Sequence, residues 1–193
     1  MANTDRQNNL PVFQQLDRVA QNPYSQWEYL RRFAWSLVNF LFIKTSLPRA
    51  FAWRRFWLQR FGATLDPTCR TRPSTHIVHP WLLTMGPHST IGDRVRVYNL
   101  GPISIGSHSV VSQNAHLCAG THDYTKSNLP LTRAPITIGH GVWICADAFI
   151  GPNVTINNNS MVAARAVVTK EVPPGVIVAG NPAQIVKSRK ITS

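Results

Sequence analysis

The chain of 193 residues carries 20 Lys/Arg against 8 Asp/Glu, a net charge of +12, and is 44% hydrophobic. This fits one soluble globular core with an appendage. The charge calls for an acidic partner, whether a phosphorylated cofactor, an anionic membrane or nucleic acid, without choosing among them. Three cysteines, Cys69, Cys118 and Cys145, form an odd set without metal-like pairing, which argues against a disulfide framework and for a reducing cytoplasm.

The first 25 residues are polar and rich in Asn and Gln, so they read as a disordered opening rather than a signal peptide. From Trp27 to Lys44 the pattern turns aromatic and basic. Trp27, Leu30, Ala34, Leu37, Val38 and Leu41 share a helical face with Arg31 and Arg32 beside it, predicting an amphipathic helix. Its most apolar run, Phe33 to Ile43, is eleven residues and too short to span a bilayer. A second helix is expected from Pro48, suited to a first turn, to Gly62, suited to a C-terminal cap. It places Phe51, Phe56, Trp57, Leu58 and Phe61 among Arg49, Arg54, Arg55 and Arg60. Two roles stay open for the pair: packing on the end or flank of the larger C-terminal domain, or attachment to an anionic membrane surface.

Beyond Gly62 the apolar residues fall into a six-residue beat, which neither a helix nor a flat sheet requires and which a solenoid does. Leu65, Thr71, Ile77 and Leu83 are six apart; after a slip of two come Met85, Ile91, Val97 and Ile103; after another, Ile105, Val111 and Leu117. Slips 20 residues apart place two-residue bulges at one corner of successive triangular coils. Continuing the third series puts the next slip at Asp123, where the chain leaves register through Pro135. The beat then resumes as Ile138, Ile144, Ile150, Ile156, Val162 and Val168. The two prolines of Val172-Pro173-Pro174-Gly175 are expected to block further strand pairing. A turn at Ala179 to Ala183 and a short basic strand or helix over 184–190 would then cap the last coil. The domain reading is therefore 1–62 for the polar opening and basic helices and 63–190 for the solenoid, with an excursion at 123–135 and a cap at 172–190.

Among seven histidines, His76, His79, His88, His108 and His140 read as surface or coil residues. His122 differs, standing where regular coils give way to the long excursion, as a general base at a cleft edge would. Asp123 either orients His122 or bonds to its own turn. Asn99, just before a bulge at the same corner, either contacts a polar substrate or packs a turn. His116 and His122, six apart and so on successive faces, do not converge on one ion, and no metal is expected.

The motifs Tyr98-Asn99-Leu100-Gly101-Pro102-Ile103, Gly120-Thr121-His122-Asp123-Tyr124, Pro135-Ile136-Thr137-Ile138-Gly139 with Val142-Trp143-Ile144, Thr169-Lys170-Glu171-Val172-Pro173-Pro174-Gly175 and Gly180-Asn181-Pro182-Ala183 resemble the hexapeptide-repeat acyltransferases. Within them the chain is most similar to the colanic-acid-type exopolysaccharide O-acetyltransferases, related to maltose and galactoside acetyltransferases. The resemblance covers about 65 to 190 and implies an all-β solenoid, a left-handed parallel β-helix preceded by amphipathic helices, assembled as a homotrimer with acetyl-CoA between subunits. It implies that His122 is the base that deprotonates a sugar hydroxyl, and that Trp143 lines the acceptor site beside it. Ala146, Ala164, Thr169 and Lys170 match the CoA groove, and Lys187 falls where relatives carry a basic residue near the nucleotide. Cys145, Asn157 and Ala163 depart from the glycines usual there. The expected function is acetyl transfer to a lipid-linked or nucleotide-linked sugar of surface polysaccharide assembly. The protein would then be cytoplasmic, peripheral at the inner face of an anionic membrane, and without a nucleic-acid partner. A non-catalytic trimeric scaffold and a zinc lyase are the alternatives.

Overall fold

A computed structural model describes residue 14 and residues 24–192; the polar opening expected to be disordered otherwise lies outside the described residues. The hexads form a parallel β-solenoid of about six turns with a triangular section. Face A stacks Thr64–Leu65, Leu83–Met85, Ile103–Ile105, Ile136–Ile138 and Thr155–Ile156. Face B stacks Arg70–Thr71, Thr90–Ile91, Val110–Val111, Trp143–Ile144, Met161–Val162 and Val176–Ala179. Face C stacks His76–Ile77, Arg96–Tyr98, His116–Cys118, Phe149–Ile150 and Val167–Val168.

The register follows the beat. Met85, Ile105, Ile138 and Ile156 pair in sequence along face A, and Ile91, Val111, Ile144, Val162 and Val178 along face B. Val97, Leu117, Ile150 and Val168 do so along face C. Each of these side chains points inward and is buried. Alternation along a strand sends its neighbour outward, so one aliphatic residue per short strand fills the core. The corners turn through left-handed residues, including Asn114, Asp147, Asn153 and Asn159 at φ from 58° to 60°. Where coils approach most closely only glycine fits: a Cβ on Gly106 would lie 2.6 Å from the Gly139 carbonyl carbon and 2.8 Å from the His140 nitrogen.

The two slips stack as expected, at the corner between faces C and A. There Leu83 and Ile103 supply extra inward residues ahead of Met85 and Ile105, and Ile136 does the same after the excursion. The excursion itself is a hairpin, with Thr121–His122 antiparallel to Leu131–Thr132. At the far end the prolines do not stop the pairing. Val172 still bridges Ile156, and Val176–Ala179 adds another parallel strand to face B. Both prolines fall in the corner between these strands, where no ladder donor is needed. The edge is then covered by Gln184–Ser188, which turns back antiparallel through Gly180 to Ala183.

The N-terminal end is covered by α1 (Gln26–Val38), a π-helical turn at Asn39–Ile43, and α2 (Phe51–Arg60). Ser25 caps α1 by accepting from the Glu28 amide. The second helix starts at Phe51 rather than at Pro48; the Pro48 carbonyl instead accepts from Arg54. Arg54 is fully buried, yet each arm is satisfied: Nε donates to Thr71 O at 2.9 Å and the terminal nitrogens to Ser46 Oγ, Leu47 O and Pro48 O. A buried guanidinium so partnered ties α2 to the first coil.

Of the apolar stripe on α1, Val38 packs against the core, but most of the stripe turns away from the solenoid. Trp35, Asn39 and Ile43 are buried, with the Trp35 indole donating to Ile77 O at 2.8 Å. Arg31 lies on the solenoid side too, donating to Phe61 O at 2.9 Å and stacking over Trp81 at 4.2 Å. Trp27, Leu30, Leu37 and Leu41 are exposed.

A core of tightly stacked coils, most strands giving it one inward residue, leaves few neighbours able to fill a void. Ile144→Ala, fully buried in mid-stack, is expected to lose about 2–5 kcal/mol of stability in urea denaturation.

Candidate active site

The hairpin holding His122 is fixed at both roots by the solenoid. Leu117 pairs with Val97 and Ile150 below and above it, and Ile136 pairs with Ile103. Between them Gly101 N donates to Ala119 O at 2.8 Å and Asp123 N to Pro130 O at 3.0 Å. His122 is exposed on this frame, and its Nδ1 lies 2.6 Å from Leu129 O. A carbonyl only accepts, so Nδ1 carries a proton, and in the neutral imidazole the free lone pair is on Nε2. That is the tautomer a general base needs.

The orienting group is thus a backbone carbonyl of the excursion and not Asp123. The Asp123 carboxylate closes its own turn, accepting from Thr125 Oγ1 at 2.6 Å and Thr125 N at 3.1 Å, with Lys126 at 3.6 Å. The Thr125 bonds chiefly hold it below the usual carboxylate range. Asn99 likewise takes its packing alternative. It is fully buried, its Oδ1 accepting from His79 N at 2.9 Å and its Nδ2 donating to His79 O, so both ends of its amide are engaged within the chain. The bulged corner demands this pair, since the extra residues leave backbone groups without a ladder partner.

Around that corner the helices and the excursion meet. Tyr24 has Arg32 over its ring at 4.2 Å and Arg133 at 4.7 Å, and Arg133 pairs with Glu28 at 3.4 Å. His79 is sealed beneath, stacked on Trp81 at 4.7 Å, its Nδ1 3.1 Å from Asn99 O and its Nε2 without a partner. Burial first, then Arg32, lowers its pKa to about 4.

Trp143 stands elsewhere. It lies on face B, half exposed, its indole donating to Ser112 Oγ at 3.0 Å beside a groove of about 440 Å³ lined also by His108, Val110, Gly141 and Arg189. Face B is opposite the corner that bears His122, so one chain does not bring Trp143 beside its own His122. Ala146 and Ala164 stack in successive coils at the corner between faces B and C, where Arg165 N donates to Ala146 O at 3.0 Å. Thr169 and Lys170 follow at the other end of Val167–Val168 and edge a cleft of about 230 Å³ beneath the terminal strands. Lys187, exposed on the terminal strand opposite Ile177, does not line that cleft. Cys145 is buried and does not project outward; burial raises its thiol pKa. Asn157 staples the last coil, donating to Glu171 Oε1 at 2.8 Å and Val172 O at 2.9 Å.

Sequence reasoning passed over a groove of about 460 Å³ on face C, lined by His76, Arg96, Tyr98, His116 and Cys118. The signal was available: each is an outward position of a strand whose inward neighbour carries the beat. His116 packs edge-on against Phe149 at 5.3 Å, far in character from the exposed His122 hairpin. Among the described residues no three or more His, Cys, Asp or Glu are gathered for a metal.

Residues 135–170 match the bacterial transferase hexapeptide (six repeats) family. The chain is 42% identical over 139 residues to a putative colanic acid biosynthesis acetyltransferase of Escherichia coli K12, covering 72% of this chain and 76% of the relative. It is 36% identical over 98 residues to the galactoside O-acetyltransferase of the same organism, covering 51% and 43%. A hexapeptide-repeat acetyltransferase of Vibrio cholerae in complex with acetyl coenzyme A superposes with a TM-score of 0.78 at 27% identity, over 88% of this chain and 93% of that one.

Because His79 is neutral when folded and takes up a proton more readily when unfolded, its contribution to stability is lost as pH falls from 6.5 toward about 4. Urea unfolding across that window should show the decline. His79→Gln, which keeps a donor for the Asn99 carbonyl, should flatten it.

Proposed function

Because the chain belongs to the hexapeptide-repeat acetyltransferases, we propose that it acetylates a sugar hydroxyl in polysaccharide biosynthesis, using acetyl-CoA as donor and His122 as general base. The carrying observation is the 2.6 Å bond from His122 Nδ1 to Leu129 O, which in the neutral ring puts the free lone pair on Nε2 of an exposed residue at the root of the excursion. Acetyl-CoA supplies the acyl group as a thioester. His122 Nε2 would take the proton from the sugar hydroxyl as that oxygen bonds to the acetyl carbonyl carbon; the C–S bond then breaks, CoA leaves as thiolate, and the proton passes to it.

The chain's surface fits such a donor. Ala146 and Ala164 leave the corner between faces B and C low enough for an extended pantetheine arm, and buried Cys145 does not obstruct it. Thr169 and Lys170 stand at a cleft across face C from that corner, where the ammonium of Lys170 would meet a phosphate, and exposed Lys187 adds charge near the nucleotide end. Because His122 and Trp143 lie on opposite sides of one chain, an acceptor site using both takes them from neighbouring copies. This supports an assembly of more than one copy, which in this reading is a homotrimer, with Trp143 lining the acceptor pocket of the next subunit. The acceptor in this reading is a lipid-linked or nucleotide-linked sugar, modified at the cytoplasmic face of the membrane with the enzyme peripherally attached.

Replacing an exposed base should leave the fold and donor binding intact. His122→Ala is expected to lower kcat by about 10²–10⁴-fold in a CoA-release assay with a sugar acceptor while the Kd for CoA stays unchanged. Wild-type turnover in the variant would place the base elsewhere.

A further inference from the structure

The N-terminal helices turn their apolar side to the outside. On α1 and the π-helical turn, Trp27, Leu30, Phe33, Leu37, Phe40 and Leu41 recur at steps of one, three and four and are all exposed, Trp27 to 72% and Phe33 to 70%. Leu47 and Phe56 continue the patch, Leu47 at 76% exposure. The helix cannot roll to hide them. Its other side is committed to the solenoid through buried Trp35, Asn39 and Ile43, the indole bond to Ile77 O and the Arg31 bond to Phe61 O.

The segment that bears this patch also exposes cations. Of the seven Lys/Arg in residues 24–62, against one acidic residue, Glu28, Arg54 is buried and Arg31, Arg32 and Arg55 are bonded to or stacked on other groups, while Lys44, Arg49 and Arg60 are exposed. An apolar protein partner would need no such exposed cations. The boundary of an anionic bilayer takes both parts, with aromatic and aliphatic side chains among the upper acyl chains and cations against lipid phosphate. No described helix is long and apolar enough to cross a membrane, so the pair would lie in the interfacial plane.

This surface is also tied to the His122 hairpin. Glu28 of α1 pairs with Arg133, which returns the excursion to the solenoid, and Tyr24 lies between Arg32 and Arg133. We propose that the outward face of α1, the π-helical turn and α2 docks on anionic phospholipid and so holds the hairpin at the bilayer surface, where a lipid-linked sugar is presented. The docking stands on the surface alone; the placement of the hairpin for catalysis rests on His122 acting as the base.

The full chain should co-sediment with phosphatidylglycerol/phosphatidylethanolamine vesicles and release as salt is raised, with much weaker binding to phosphatidylcholine alone. Phe33→Glu/Phe40→Glu, at two outward positions, should reduce vesicle partitioning by about tenfold or more. It should keep wild-type oligomeric size and CoA release with a soluble acceptor. Three results would overturn the docking surface: no vesicle binding by wild type, equal binding by the double variant, or a change of oligomeric size in that variant, which would assign the face to contact between copies. Full turnover by His122→Ala in a wild-type background that binds vesicles would overturn the catalytic placement and leave the docking surface standing.

Discussion

The coil-to-coil hydrogen-bond ladder governs what the rest of the chain can do. Each short strand bonds to the coil before and the coil after, and each inward residue stacks on its counterparts one coil away, as Ile144 does on Val111 and Val162. A strand of two residues has no stability of its own, so register is held collectively. Extra residues must therefore leave and return at a corner without shifting the next rung. The corner between faces C and A absorbs two in successive coils and then the whole excursion, while Ile136 still meets Ile103. A long insertion thereby acquires a rigid base, and the imidazole at its root inherits a defined position.

The same ladder leaves two ends to be covered, and they are covered differently. At the C-terminal end the chain continues its own hydrogen bonding, first in parallel and then in an antiparallel return. At the N-terminal end helices replace strands, and side chains satisfy what the ladder would have paired. Arg54 donates to Thr71 O and Trp35 to Ile77 O, so long polar side chains buried at the helix–coil junction substitute for a missing coil. That use of Arg and Trp inside is what leaves Leu, Phe and another Trp outside.

Periodicity made the solenoid, the stacked bulges and the position of the excursion legible, because a beat of six has one structural solution and each slip in it has one location. It could not say which side of α1 faces the coils. An apolar stripe does not say whether it packs on the coils or turns away from them, and Arg31 and Arg32 beside the stripe gave no sign that one would stack on Trp81 and the other on Tyr24. Asn99 and Asp123 were ambiguous for a related reason: each was assigned by proximity in sequence to His122 or to its corner. Both amide and carboxylate turned to nearby backbone or side-chain donors instead. The carbonyl that orients His122, from Leu129, has no sequence signature at all.

A rigid prism also limits how a site can be assembled. His122 and Trp143 are separated by the body of the same stack, and no loop movement that preserves the ladder brings them together. The motion available to His122 is that of a hairpin pinned at Leu117 and Ile136, while Trp143 sits within a strand paired on both sides. Any chemistry that needs both groups must take one from another copy, at a separation set by packing between stacks rather than by folding within one. Such a site gains its precision from the ladder, since each copy presents its contribution at a fixed height. The helical cap, tied to the hairpin through Glu28 and Arg133, then sets that height relative to whatever surface the cap rests on.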